Sequence, residues 1–430
     1  MPIVAGVDSS TQSVKVVLRD ADSGELVAST SRPHPDGSEV NPQHWWKALS
    51  EALDELSSHK ISAISIAGQQ HGMIALDKDG AVIRDALLWN DTRSDKAAED
   101  LNREIPDIAL RTGSQLVASF TASKVRWLVD SEKANANRVA AIALPHDWLS
   151  WKLSGAKSIE TLFTDRSDAS GTGYFDSRKN EYCLDILATA IRTNQEIILP
   201  KIIAPNQFGA TSTNSIPIAA GAGDNAGAAL GLGASLGDLV ISLGTSGTAF
   251  AISKSSTHDS SGEVAGFADA TGNFLPLACT LNAAKIFNTV AKSLSLSFEE
   301  FSSLALSAKV GAEGLRIIPH FDGERTPNKP SAKGSFYGIT HSNFTRENIA
   351  RASIEGVIAG MIYAARAVER QGVSYSRILL IGGAAKNSAV QQIAADLFGR
   401  TIHIPPIGEY VADGAAKQAA WALSGKDEVP

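Results

Sequence analysis

Asp224 lies within Gly221-Ala222-Gly223-Asp224-Asn225-Ala226-Gly227, a glycine-rich turn that follows the apolar run Ile216 to Ala220. The spacing reads as a relaxed dinucleotide fingerprint, in which a pyrophosphate rests on backbone amides at a helix N-terminus. A carboxylate in the middle of that turn would repel the phosphates, and a lone glycine pattern is weak ground for such a site. The same turn suits a neutral hydroxyl, whose proton Asp224 can accept as general base. At a helix start the macrodipole favours the ionised carboxylate, so the base is expected to be weak. Phosphoryl transfer tolerates this, because its transition state is loose and the proton can leave late. The plain alternative is a helix N-cap.

Other residues fit phosphate chemistry. Asp8 ends the strand-like run Ile3 to Val7, just before Ser9-Ser10-Thr11-Gln12. There it can hold Mg²⁺ through water beside a transferring phosphate, or simply close an Asx turn. Ser242 to Gly247 is a second loop of glycines and hydroxyls, where Gly244, Thr245 and Ser246 can offer backbone N–H groups to phosphate oxygens. A hairpin turn explains it equally well alone. Two such loops at matching places favour phosphate chemistry. Lys15 is either a reach toward a γ-phosphate or a solvated side chain.

A third set fits a polyhydroxylated ligand, each hydroxyl of which needs donors and acceptors. Trp89-Asn90-Asp91-Thr92-Arg93 gathers an amide, a carboxylate and a guanidinium beside an aromatic, the alternative being a helix cap at Asp91 or Thr92. Gln70 and His71 follow the strand Ile61 to Ala67, and strand ends are where α/β domains hold ligands. Glu324-Arg325-Thr326-Pro327 reads as a surface ion pair. There is no GxxxxGK[ST], HExxH or GxSxG, and the nine histidines are dispersed.

These residues need elements to position them. The chain opens as strand, polar turn, strand over residues 3–18, with Leu26 to Ala28 completing an antiparallel meander. Asn41 and Pro42 start an amphipathic helix through Trp45, Trp46, Leu49, Leu53 and Leu56. Near residue 217 the pattern restarts, and Leu239 to Leu243 and Thr248 to Ile252 echo the opening unit, implying two similarly built halves. A long helix is expected near Arg346–Arg370, a strand at Ile378 to Ile381, a helix after Asn387, and an alanine-rich helix over Ala412 to Leu423. The interleaving predicts an α/β chain with mixed sheets and a cleft between two domains, residues 1–216 and 217–430.

At 430 residues, with 20% charged and 43% apolar side chains, the chain reads as globular with two domains of about 200 residues each. A net charge of −7 and no basic run exclude a nucleic-acid scaffold. Cys183 and Cys279 are the only cysteines and lack metal spacing, which implies a reducing compartment. With no signal-type N-terminus and no membrane-length apolar stretch, a cytoplasmic location is expected.

Together these segments resemble the FGGY carbohydrate kinases, and among them the xylulokinases, over nearly the whole chain. The residues that carry the resemblance are VAGVDSSTQSVKVV (4–17), GQQHG (68–72), WNDTR (89–93), SFTASKVRWL (119–128), TDRSDASG (164–171), Gly223-Asp224-Asn225, SLGTSG (242–247), residues 334–355 and GGAAKN (382–387). This many motifs in one order is highly specific.

The resemblance implies two duplicated ribonuclease H-like domains of the actin, hexokinase and heat-shock chaperone type, closing over sugar and Mg-ATP. It implies ATP-dependent phosphorylation of a ketopentose, D-xylulose foremost, with Asp224 as base. The sugar would be contacted by Gln70, His71, Trp89, Asn90, Asp91, Arg93 and Asn225. The nucleotide would lie along Ser10, Thr11, Lys15, Gly244, Thr245, Ser246, Gly382, Gly383, Ala384 and Asn387, with Mg²⁺ at Asp8. The expected partners are the sugar and ATP, with neither nucleic acid nor membrane, and a homodimer is left open.

Four departures stand out. Ser10 replaces a glycine of the first phosphate turn, Ala384 a frequent glycine near the adenosine, and Asp413 a usually apolar residue. The chain also stops before the longer tail with which many relatives return to the first domain. The alternatives are another specificity in the family (ribulose, a deoxyketose or a polyol), a non-catalytic sugar or nucleotide sensor, and an ATPase of chaperone or filament type.

Overall fold

The computed structural model describes residues 1–193 and 195–429. The chain forms two compact units, one of Met1–Ala234, Phe267–Phe274 and Gly408–Pro430, the other of Ser235–Gly266 and Leu275–Ile407.

In the first unit, β1 (Ile3–Ser9) and β2 (Ser13–Asp20) form a hairpin, closed where the Ser10 N–H donates to the Ser13 carbonyl at 3.1 Å. Strand β3 (Leu26–Pro33) adds antiparallel to β2. Helix α1 (Pro42–Glu55) starts as the sequence predicts, with the Asn41 side chain accepting from the Gln43 N–H and proline in the first turn. It buries Trp45 and Leu49 in the core below the sheet. Strand β4 (Ile61–Gly68) then pairs parallel with β1.

After α2 (Thr121–Ser131), α3 (Pro145–Ser154) and the single turn α4 (Arg166–Ala169), the chain re-enters the sheet. Strands β5 (Phe208–Thr211), β6 (Pro217–Ala219) and β7 (Ala222–Gly223) lead into helix α5 (Asp224–Gly231). The strand order is β5-β6-β4-β1-β2-β3, with β7 also on β4. Because β6 and β7 pair with β4, residues 217–234 fold with the first unit, and the division expected after residue 216 moves.

The second unit repeats this plan. Strands β8 (Asp238–Leu243) and β9 (Gly247–Ala251) form a hairpin, and β10 (Phe274–Thr280) continues antiparallel. Helices α6 (Ala284–Ser293), α7 (Phe298–Ser307) and α8 (Arg346–Arg370) follow, then β11 (Arg377–Ile381), α9 (Ser388–Phe398) and β12 (Ile402–His403). Here β12, β11 and β8 are parallel while β9 and β10 are antiparallel, matching β6, β4, β1, β2 and β3 in order and sense. The duplication is one of topology. A core including Leu239, Ile241, Phe287, Phe301, Ile354 and Ile358 fills this unit.

The last helix, α10 (Tyr410–Ser424), belongs to the first unit, so it makes the return for which a longer tail was expected. It lies very close to its neighbours. A Cβ on Gly6 of β1 would fall 2.0 Å from the Ala412 carbonyl oxygen, and one on Gly414 would fall 1.9 Å from that of Gly227 in α5. Asp413, an unusual charge here, is met by Arg19 of β2 at 2.6 Å. Among the described residues no helix is long and apolar enough to cross a membrane.

Candidate active site

Three parallel strands of the first unit end side by side. Asp8 of β1 is level with Ala67 of β4, and Gly223 of β7 is level with Gly68. The carboxyl ends of β1, β4 and β7 therefore bring together Asp8, the segment Gly68 to His71, and Asp224. A parallel sheet presents ligand sites at this edge.

Asp224 is the first residue of α5, and Gly223 is the N-cap, so the simple capping role is not the one it takes. The Asn225 backbone N–H and side-chain Nδ2 both donate to Oδ1 of Asp224, at 2.7 and 2.8 Å. The carboxyl is half-buried and enclosed by protein. Burial pushes its pKa up to about 6, against the bonds from Asn225 that stabilise the ionised form. Desolvation thus outweighs the helix start, and the Asp224 carboxyl holds its proton more firmly than its position in the sequence implies.

Asp8 is more deeply buried, and burial raises its carboxyl to about 7 against the Ser10 hydroxyl bond and the charge of Lys15; Asp224 and Glu409 add to the rise. The Ser10 hydroxyl donates to Oδ1 of Asp8, so the serine that replaces glycine has its own task. Lys15 is half-exposed and engaged by Glu409 at 2.5 Å.

The segments expected to meet a sugar gather around this edge. Thr11 donates to Oε1 of Gln69 at 3.3 Å and accepts from the Trp89 indole N–H at 2.9 Å, tying the first turn to residues 89–93. Asp91 is buried and already engaged: Oδ1 accepts from the Arg93 N–H and Nε at 3.0 and 2.8 Å, and Oδ2 from Ser38 at 2.8 Å. Neither Asp91 nor Thr92 caps a helix; Ser94 precedes the helix that follows. Asn90 is exposed and reaches the Gly37 carbonyl at 3.4 Å.

Gln70 donates to the Ser167 carbonyl at 3.2 Å. His71 has a left-handed backbone (φ 69°), which costs a non-glycine residue about 1 kcal/mol or more. Its carbonyl is held by the buried Lys124 at 3.0 Å and by Thr121 at 3.2 Å, its Nδ1 lies 2.6 Å from the Gly171 carbonyl, and its ring packs on Phe120 and Phe267. All of these supports but Phe267 lie in residues 119–128 and 164–171, stretches whose sequence does not show what they hold.

His146, one of the dispersed histidines, is fully buried, its Nδ1 2.6 Å from Oδ2 of Asp168. Burial alone would lower its pKa, but Asp147, Asp168 and Asp165 raise it to about 10.

The second unit carries its own strand-end site. The β8–β9 turn is Gly244 to Ser246, and Ser242 of β8 is level with Ile381 of β11, so the turn beginning at Gly382 lies beside it. The Ala284 and Ala283 N–H groups donate to the Gly244 and Thr245 carbonyls at 3.0 and 3.3 Å. In a trans peptide the N–H points opposite the carbonyl. The amides of Thr245 and Ser246 therefore point away from α6. A Cβ on Gly382 would fall 2.6 Å from the Leu243 carbonyl oxygen, which reserves this position for glycine. Gly383 is exposed with open space around it, while the Ala384 methyl is buried in the core. Asn387 caps α9, accepting from the Ala389 N–H at 2.9 Å.

Glu324 is not part of a surface ion pair. It is buried and accepts from the Leu281 N–H at 2.5 Å and from Asn282 at 3.0 Å.

The chain is similar to known proteins over nearly its whole length. Residues 3–231 match the N-terminal domain of the FGGY family of carbohydrate kinases, and residues 239–423 match its C-terminal domain. The xylulose kinase of Streptomyces coelicolor is 41% identical over 99% of this chain and 89% of its own. That of Escherichia coli is 32% identical over 97% of this chain and 90% of its own. The crystal structure of xylulose kinase from Bifidobacterium adolescentis superposes with a TM-score of 0.93 at 43% identity, over all of this chain and 94% of that one. With both family domains matched in order and two sheets of one topology, the chain belongs to the FGGY family of carbohydrate kinases.

Proposed function

We propose that the chain transfers the γ-phosphoryl group of ATP to the terminal hydroxyl of D-xylulose, giving D-xylulose 5-phosphate and ADP in the cytoplasm. The hydroxyl oxygen forms the new bond to phosphorus, the bond to the β-phosphate oxygen breaks, ADP leaves with that electron pair, and Asp224 takes the hydroxyl proton. The observation that carries this is the half-buried Asp224 carboxyl, clamped through one oxygen by Asn225 and poised near neutral pH. Such a base is ionised at working pH yet basic enough to receive the proton.

The first unit is the sugar-binding side. Gln70, His71, Trp89, Asn90 and Asn225 are its sugar contacts, while Asp91 and Arg93 hold the wall behind them, since their charges already pair. The second unit is the ATP-binding side, with Thr245 and Ser246 amides for phosphates and Gly382 and Gly383 beside the nucleoside.

Asp8 fits Mg²⁺. A buried carboxylate raised to about 7 is poorly compensated, and a divalent cation would supply the missing charge. When bound, the ion neutralises charge on the phosphates. Lys15 serves to keep Glu409 paired rather than to reach a phosphate.

An ADP-release assay across ketopentoses and polyols tests this reading. D-xylulose should give the highest kcat/KM; a tenfold preference for ribulose, a deoxyketose or a polyol would reassign the substrate. Asp224→Asn should retain sugar binding and lose about 10³-fold or more in turnover.

A further inference from the structure

The segment leading into Asp224 is held from several sides by residues the reaction does not use. Gln418 of α10 donates to the Gly221 carbonyl at 2.8 Å and accepts from its N–H at 3.0 Å. The ring of His146 packs over Gly221, where a Cβ would fall 2.4 Å away, and its Nε2 lies 3.3 Å from the Ala220 carbonyl. The last anchor before the base is Ser167, whose Oγ accepts from the Gly223 N–H at 3.1 Å.

Ser167 is fully buried and is itself fixed in direction. The Asp165 carboxyl lies beside its hydroxyl. Its own N–H donates to Asp165 at 2.7 Å, and its carbonyl accepts from Gln70 at 3.2 Å. Behind it, Asp168 pairs with His146 and fixes α4 against α3. His146, Asp147 and Asp168 have the makings of a metal site, but the 2.6 Å contact between Nδ1 of His146 and Oδ2 of Asp168 is a hydrogen bond with no room for an ion. The two ring nitrogens face a carboxyl and a carbonyl, partners that suit the doubly protonated ring.

We infer that Ser167, held by the buried Asp168–His146 pair, is a positioning residue that sets the direction of the Asp224 carboxyl through the Gly223 N–H. It touches neither sugar nor phosphate. One peptide unit separates the Gly223 amide from Asp224, so releasing that amide lets the carboxyl swing, and misplacement of a base by about 1 Å costs on the order of 10²-fold. The same residue fixes Gln70, which links the aim of the base to the sugar side. The inference rests on Asp224 being the base.

The test is a double-mutant cycle of Ser167→Ala and Asp224→Asn, read as single-turnover and steady-state ADP formation, with unfolding curves for every variant. Ser167→Ala alone should lower kcat by about tenfold or more, with the KM for ATP unchanged. In the Asp224→Asn background it should change the residual rate by less than about twofold, because nothing is left to aim. An equal loss in both backgrounds, or a wild-type kcat for Ser167→Ala, would overturn the inference. Should Ser167→Ala not fold, Asp168→Asn, which keeps the side-chain shape, is carried through the same cycle with the same two outcomes. Near-normal turnover of Asp224→Asn alone would remove the base before Ser167 is altered, and the inference with it.

Discussion

Asp8 lies near the end of β1 and Asp224 just after β7, strands that flank β4 on opposite sides, with Asp8 level with Ala67 and Gly223 level with Gly68. Their carboxyls are close enough that the charge of Asp224 adds to the burial that holds Asp8 up to about 7. Two acids are thus gathered at one sheet edge, at a cost in electrostatic energy that a fold without a ligand there would not need.

The pH dependence of turnover follows from Asp224. Its pKa of about 6 is raised by burial, and only the ionised form can accept a proton. We expect kcat to fall about tenfold per pH unit below about pH 6 and to level off above it. A pH–rate profile with saturating sugar and ATP measures this; a flat profile to pH 5 would rule it out.

The same shift predicts a stability gain in an inactive variant. The native state holds a proton on Asp224 up to about pH 6, whereas an unfolded chain releases it near 3.8. Between those values the folded form binds more protons, so its stability falls as pH rises, and the deficit persists above pH 6. Asp224→Asn should therefore be more stable than wild type at pH 8 by about 1 kcal/mol, a gain that shrinks toward pH 5. Thermal unfolding at several pH values tests the sign; a variant less stable at pH 8 than at pH 5, relative to wild type, contradicts it.

Asp91 is predicted to matter for the fold. Burial alone would raise its pKa, but the bonds from Arg93 and Ser38 more than offset this and leave it below the ordinary value. Asp91→Ala leaves Arg93 with Glu39 at 2.7 Å as its remaining carboxylate and deprives Ser38 of its acceptor, and should cost about 1 kcal/mol or more in urea unfolding. A loss confined to sugar KM, with unchanged stability, would return Asp91 to the list of direct sugar contacts.

Gly414 tests the packing of α10. A methyl group there would press on the Gly227 carbonyl of α5, backbone that cannot step aside cheaply. Gly414→Ala should destabilise by about 3 kcal/mol and, because α5 begins at Asp224, lower kcat as well. Wild-type unfolding would show that α10 can shift without consequence.

Much of this was legible in the residues. The bounds of α1 and α8 and the start of α9 were read to within a residue, and the echo of residues 3–18 near residue 239 proved to be a repeated five-strand topology. Less legible were the partners of Asp91, since a polar cluster looks the same whether its groups face a ligand or each other. Glu324 was misread for the same reason: its partners Leu281 and Asn282 lie more than 40 positions away.

The sequence by itself determined the chemistry on offer: an aspartate at a helix start, a second at a strand end, and two glycine and hydroxyl turns in matching halves. Local pattern suffices there, because turns, caps and strand periods are set by neighbours along the chain. Only the tertiary structure decided the surroundings of Asp224 and what holds the strand before it. Burial, not the helix start, governs the pKa of Asp224. Ser167, His146 and Gln418, which hold the strand before it, come from three distant stretches. Desolvation and long-range hydrogen bonds depend on which segments meet, and no spacing along a single chain records that.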